Sequence, residues 1–260
     1  MLKIVKRGVK RTLKTLGFGM LRYDSLAKLM ENETSGADLV FLQTIDENLV
    51  GRAIHLLGVS KSQLRQDIFV LTELGFKRDG YFVEFGATNG FDLSNTYLLE
   101  KEFGWSGILA EPAKCWHEDI KKTRKAKISF DCVWKETGQT LDFAEADVPE
   151  LSTISDFKSK GSQSKLRRKH RTYPVNTISL NDLLQQQGAP HLIDYLSIDT
   201  EGSEYEILKD FNFDLYKVSV ITCEHNFTDD RQKIYDLLVS KGYKRKFENI
   251  SEFDDWYVLQ

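Results

Sequence analysis

The chain has 260 residues, 41% hydrophobic and 29% charged, with a formal net charge of −3, a composition that suits a soluble globular protein with one large α/β domain and an extension. The slightly acidic balance gives no reason to expect a nucleic acid partner, and no run of about 18 apolar residues is present to cross a membrane. Cys115, Cys132 and Cys223 are scattered without C-x-x-C spacing, which argues against a disulfide framework and for a reducing, cytoplasmic compartment.

Residues 1–22 are distinctive. Lys3, Lys6, Arg7, Lys10, Arg11 and Lys14 all precede the first acid, Asp24, and Leu2, Val5, Val9, Leu13 and Leu16 recur at helical spacing. Such a basic amphipathic helix can lie on an anionic membrane through residues 1–20. It can equally cap the domain with its lysines solvated, or serve as a transit peptide; it lacks the apolar centre of a secretory signal. Leu39 to Leu57 reads as a helix ending at Gly58, and Ser60 as the N-cap of another, Lys61 to Leu74, closed by Gly75. Residues 1–75 are therefore expected to be a helical extension and residues 76–260 the catalytic domain.

From there strands and helices alternate. Tyr81–Phe85 is an apolar strand that ends on Glu84 and runs into Gly86-Ala87-Thr88-Asn89-Gly90. A helical pattern follows from about Ser94 to Phe103, then a second strand, Gly107–Ala110, stops at Glu111-Pro112. Strand, glycine turn, helix and second strand with an acid at its tip describe a nucleoside-binding βαβ unit, with Glu111 where a ribose diol lies. Lys127–Val133 reads as a third strand, the Ser- and Lys-rich stretch 152–164 as a mobile lid, and the basic cluster Lys165–Arg171 after it as a site for an anionic acceptor, such as a phosphorylated or acidic sugar or a lipid-linked glycan, or as a solvated face. Leu192–Ile198 ends at Asp199 and Val218–Cys223 at Glu224-His225-Asn226. A helix from Arg231 to Ser240 and strands near Arg245–Ile250 and Trp256–Leu259 close the chain. Near-continuous apolar strands imply a sheet covered by helices on both faces.

Gly86 to Gly90 is G-x-x-x-G, without the third glycine of dinucleotide-binding folds. A carboxylate at Glu84 opposes a pyrophosphate but suits a cationic amino group, so the electrostatics favour S-adenosylmethionine over NAD or FAD. No Walker lysine motif suggests ATP.

These segments resemble the FkbM family of S-adenosylmethionine-dependent methyltransferases. The matching residues are Gly80-Tyr-Phe-Val-Glu-Phe-Gly-Ala-Thr-Asn-Gly90, Ser94-Asn95-Thr96, Gly104-Trp-Ser-Gly-Ile-Leu-Ala-Glu-Pro112, Ser152-Thr153, Thr177-Ile-Ser-Leu180 and Ile198-Asp-Thr-Glu-Gly-Ser-Glu204. Gln66-Asp67 also resembles a family pattern and has no evident physical role. The resemblance implies a Rossmann-like class I methyltransferase fold, an α/β architecture with a seven-stranded, mostly parallel sheet, helices on both faces and an antiparallel last strand. It implies O-methylation of a sugar, glycan or related small-molecule hydroxyl.

It also implies site roles. Glu84, Gly86, Ala87, Asn89 and Gly90 would hold the methionine part of the cofactor, and Ser94, Asn95 and Thr96 its carboxylate, or simply cap the next helix. Glu111, with Pro112, would take the ribose, and Asp131 and Cys132 the adenine. Asp199 would reach the cofactor and, with Glu224, His225 and Asn226, converge on the reacting end. There His225 or Asp199 acts as general base, or Asp199, Glu224 and His225 or Asn226 bind Mg²⁺ or Mn²⁺. An NAD(P)-dependent oxidoreductase and a non-catalytic membrane-associated binding protein on the same fold are the competing readings.

Overall fold

A computed structural model describes residues 36–159 and 164–260; the predicted basic helix, residues 1–22, lies outside them. By contact the chain divides into residues 1–44 and 45–260, whereas the sequence reading drew its boundary after residue 75. Residues 36–44 are helical. No helix among the described residues is long and apolar enough to cross a membrane.

The second unit begins with a restart. Asp46 accepts a hydrogen bond from the Asn48 amide, 2.8 Å, and caps α1, Glu47–Ala53, so the helix expected from Leu39 to Leu57 is interrupted. Helix α2 runs from Gln66 to Glu73 and is almost wholly buried. It starts later than expected because Ser60 and Ser62 serve other partners. Ser60 Oγ donates to Asp67 Oδ1, 2.8 Å, and Ser62 pairs with Leu93 in a short parallel bridge.

The main sheet contains β1 (Tyr81–Phe85), β2 (Ser106–Ala110), β3 (Lys127–Ser129), β8 (Leu192–Ile198), β9 (Lys217–Glu224), β10 (Tyr243–Lys246) and β11 (Asp254–Leu259). Their order is β10-β11-β9-β8-β1-β2-β3. The inner strands are parallel, and β11 runs antiparallel to both neighbours, as the family resemblance implies. Helix α3 (Tyr97–Phe103) connects β1 to β2, α4 (His117–Thr123) leads to β3, and α6 (Glu204–Leu208) and α7 (Asp230–Ser240) follow β8 and β9.

Strand alternation sorts the residues. Val83, Phe85, Leu196, Ile198, Ile221 and Tyr257 point into one core. The register Glu84↔Ser197↔Thr222↔Trp256, with Glu224 opposite Asp254, puts a polar row on the other face at the carboxyl edge. Phe69 of α2 packs on Trp256, ring centroids 4.7 Å apart, just below that row.

A second, four-stranded sheet is absent from the sequence reading. It contains β4 (Cys132–Trp134), β5 (Thr140–Ala146), β6 (Thr153–Ile154) and β7 (His170–Ser179) in the order β4-β7-β5-β6, and β7 enters α5, Leu180–Gln186. The expected strand Lys127–Val133 is thus two. The Asp131 amide donates to Ser129 Oγ, 3.3 Å, as the chain leaves the first sheet for the second. The described part of the expected lid includes β6, paired antiparallel with β5.

One contact joins the two central strand tips. Gly86 has φ +68°, and a Cβ there would sit 1.9 Å from the Asp199 carbonyl oxygen. The expectation was that this glycine admits a ligand; it admits the backbone of the neighbouring strand tip. Gly86→Ala is expected to cost about 3 kcal/mol or more, from overpacking plus left-handed strain. Gly188→Ala, also at positive φ but with nothing within 4 Å, should cost about 1 kcal/mol. Chemical denaturation of the two variants side by side checks the difference.

Candidate functional site

The carboxyl ends of β1, β2, β8, β9 and the start of β11 open onto one cleft of about 190 Å³. The second sheet closes it from the side with Val133, Phe143 and Ile154, joined by Leu151 from the turn between β5 and β6. Eight acids line it: Glu84, Asp92, Glu111, Glu150, Asp199, Glu201, Glu224 and Asp254. Among the described residues no lysine, arginine or histidine does.

Glu84 is buried and heavily engaged. Its carboxylate accepts from the Asn95 amide at 2.7 Å, from Thr96 Oγ1 at 2.5 Å and from Ser94 Oγ at 3.1 Å. Arg124 lies behind it, 3.5 Å away, and also pairs with Glu100 at 3.0 Å. So Ser94, Asn95 and Thr96 spend these donors on Glu84, and α3 starts only at Tyr97. Ala87 is buried, and its carbonyl accepts from the Gly90 amide. Asn89 staples its own loop, accepting from the amides of Phe91 and Asp92 at 2.9 Å each. Gly90, with φ +76°, packs against Arg124, Thr123 and Ile120. Ala87, Asn89, Gly90 and Thr96 do not line the cleft, whereas Glu84, Gly86, Ser94 and Asn95 do.

On the β2 side, Glu111 Oε2 accepts from the Thr88 amide and Oε1 from the Ala113 amide, both at 2.8 Å. Burial pushes its carboxyl up to about 7 despite those bonds. Pro112 and the buried Cys132 line the cleft next to it; Asp131, in the turn between the sheets, does not.

At the β8 and β9 tips the acids crowd together. Asp199, Glu201 and Glu224 each bring a carboxylate oxygen within 4.8 Å of the others. Burial, then the neighbouring Glu204, lifts Asp199 to about 7. Burial and Asp199 lift Glu201 to about 8, and the same causes hold Glu224 well above the carboxylate range. Glu201 has φ +59°, which turns it toward the cluster. Its Oε2 takes an ion pair from Arg167 and a hydrogen bond from Asn226 Nδ2 at 2.8 Å. Arg167, read in the sequence as part of a basic patch, is buried, and Arg171 of the same run pairs with Glu145.

His225 stands outside this cluster, a correction to its expected role as base or metal ligand. It follows Glu224 directly and points the other way, so that Nε2 lies 3.7 Å from Asp255 and Nδ1 accepts from the Phe227 amide. Burial pushes it down to about 4, leaving it neutral near pH 7. Asn226 meets the cluster only through Glu201. The sequence reading gave Glu201 no role beyond its motif and overlooked Asp254. Their signals were modest: an acid two residues past a strand tip, and an acid opening the last strand.

The matches to known proteins fit this geometry. Residues 84–257 match the model of the methyltransferase FkbM domain. The chain belongs to the FkbM methyltransferase family. Methyl transfer from S-adenosylmethionine is therefore the family's chemistry. Solved structures show fainter likeness. Precorrin-6y C5,15-methyltransferase from Geobacter metallireducens GS-15 shares 12% identity over 74% of this chain and 85% of its own, with a TM-score of 0.38. The fibrillarin/Nop5p complex gives 11%, 70%, 73% and 0.35 in the same order, and the CurJ carbon methyltransferase 10%, 90%, 69% and 0.36. Nothing further rests on likenesses this weak. No curated protein sequence matches the chain significantly.

The raised acids make stability pH-dependent. Burial lifts Asp254 from 3.8 to about 7. Between those values the folded chain holds the proton that the unfolded chain releases, so this residue's contribution falls as pH rises through the window. Asp254→Asn removes that dependence. Relative to wild type, the variant should gain stability from pH ~4 to pH ~7, on the order of 1 kcal/mol per pH unit. Thermal unfolding across that range checks it.

Proposed function

We propose that this family member is an S-adenosylmethionine-dependent O-methyltransferase acting on a hydroxyl of a sugar, glycan or related small molecule. The observation that carries the reading is a cleft at the carboxyl ends of the strands, lined by eight acids and, among the described residues, by no basic side chain. That wall suits a cofactor with a sulfonium and an ammonium and no phosphate, and repels the diphosphate of NAD(P). When bound, the cofactor supplies an electrophilic methyl group.

The chain's residues then divide the work. Val133, Phe143, Leu151, Ile154 and Cys132 form an apolar wall for the adenine. Glu111 keeps lone pairs free on both oxygens, each held by one main-chain amide, and grips the ribose hydroxyls. Asp199 takes the proton from the acceptor hydroxyl. Its carboxyl, lifted to about 7, is matched to that task near neutral pH, whereas His225 is turned away. Burial and the neighbouring acids push the Glu224 carboxyl well above the usual carboxylate range, which lessens the second charge that Asp199 faces. A cytoplasmic location and a peripheral membrane contact through residues 1–20 complete the reading and rest on the sequence.

A divalent cation is a second reading, favoured by the mutual approach of Asp199, Glu201 and Glu224. An all-oxygen donor set suits Mg²⁺ or Mn²⁺, and a cation there would take the place of the protons these acids retain.

Calorimetry with S-adenosylhomocysteine tests the first reading. Wild type should bind, and Glu111→Ala should bind about tenfold or more weakly, as loss of charged hydrogen bonds implies. Absence of binding, or a variant indistinguishable from wild type, would reject the proposal, and stabilisation by NAD(P)H instead would support an oxidoreductase. For the cation, Mn²⁺ titration should give a site that Glu201→Gln weakens. Full methyl transfer after EDTA dialysis rules out an essential metal.

A further inference from the structure

Strand β11 opens on a carboxylate whose two oxygens are unequal. Asp254 is 4% exposed. Its Oδ2 accepts from Gln66 Nε2 at 3.1 Å and from the Trp256 indole N–H at 3.1 Å. Among the described residues its Oδ1 has no hydrogen-bond partner. The arrangement is fixed from below. Gln66 Oε1 accepts from the Leu64 amide at 2.9 Å, which aims the Gln66 NH₂ group at Asp254. Asn95 repeats the pattern. It is 9% exposed, its Nδ2 donates to Ser197 Oγ at 3.0 Å, and its Oδ1 is unpartnered. Gln66, Asn95 and Asp254 line the same cleft.

A buried acceptor without a donor carries a desolvation penalty that only a donor relieves. Three such acceptors line the cleft, Asp254 Oδ1, Glu224 Oε2 opposite it in the strand register and Asn95 Oδ1; with no basic side chain among the described residues lining it, they specify the missing group. It must donate hydrogen bonds, and positive charge favours it. Its place follows from the strand order. Glu111 stands on β2, Asp199 and Glu224 at the tips of β8 and β9, and Asp254 on β11. At about 4.8 Å per strand, β11 lies about 14 Å from β1. A nucleoside cofactor held at β2 and reaching Asp199 stops short of it.

We propose that Asp254 forms a head-group subsite for a protonated primary amine on the methyl acceptor. The subsite rests on the methyltransferase reading and narrows it to acceptors that carry an amine beside the reacting hydroxyl. Anionic acceptors such as sugar phosphates are rejected by the same wall.

Two matched series test it: glucosamine, glucose and glucuronate, and tyramine, p-cresol and 4-hydroxyphenylacetate. Each is titrated into the full chain loaded with S-adenosylhomocysteine and followed by tryptophan fluorescence. In at least one series the amine should bind about tenfold more tightly than its neutral analogue, and the acid weakest of all. That lead should vanish in Asp254→Asn, while this variant binds S-adenosylhomocysteine as wild type does. The subsite is overturned if an acid binds as well as its amine, if neither amine exceeds its neutral analogue, or if the lead survives Asp254→Asn. Failure of wild type to bind S-adenosylhomocysteine is a different result and removes the methyltransferase reading beneath it.

Discussion

Carboxylates from five strand ends share one crevice, and the fold neutralises only some of them. Arg124 lies behind the cleft, its side chain fully buried, against Glu84 and Glu100. Arg167, nearly as buried, pairs with Glu201. Each arginine is needed where it is, because a buried carboxylate stripped of its partner costs about 3–5 kcal/mol. Among the described residues, Asp199, Glu224, Asp254 and Glu111 have no such cation. They respond by holding protons at pH values where free carboxylates have lost them. A positively charged ligand can replace those protons, so the cleft stores a preference for cations in its protonation state.

Geometry makes that crowding possible. With Gly86 in the left-handed region, the Asp199 carbonyl occupies the space a side chain would need. The β8 tip therefore sits directly against the β1 turn. Any bulk there would separate the acids of β8 and β9 from the turn that carries Glu84. The glycine lines the cleft and also sets how closely the two strand tips approach.

Much of this was legible in the sequence. Unbroken apolar runs announced the central parallel strands, and strand alternation made the acids at their tips stand out: Glu84, Glu111, Asp199 and Glu224. Three things escaped. The short β5, with Leu141 and Phe143 alternating against Asp142, looks like a loop until it pairs with β7 across a long insertion. His225 was attractive by residue type, but its position one past Glu224 reverses its direction. Glu201 enters the cluster only through a positive φ that nothing in its residue type announces. In each case a register or a dihedral angle decided the outcome.

The first helix of the βαβ unit carries the last step. In dinucleotide-binding folds the amides at that helix N-terminus face a pyrophosphate. Here the Asn95 amide and the hydroxyls of Ser94 and Thr96 face the carboxylate of Glu84 instead. The protein supplies its own anion at the position a phosphate would take, and Arg124 secures it from behind. A phosphate would have to displace Glu84 from these donors and leave Arg124 without its partner, inside a wall already rich in negative charge. The same residues leave a sulfonium nucleoside unopposed. One carboxylate thus both staples the turn and excludes the commoner class of cofactor for this topology.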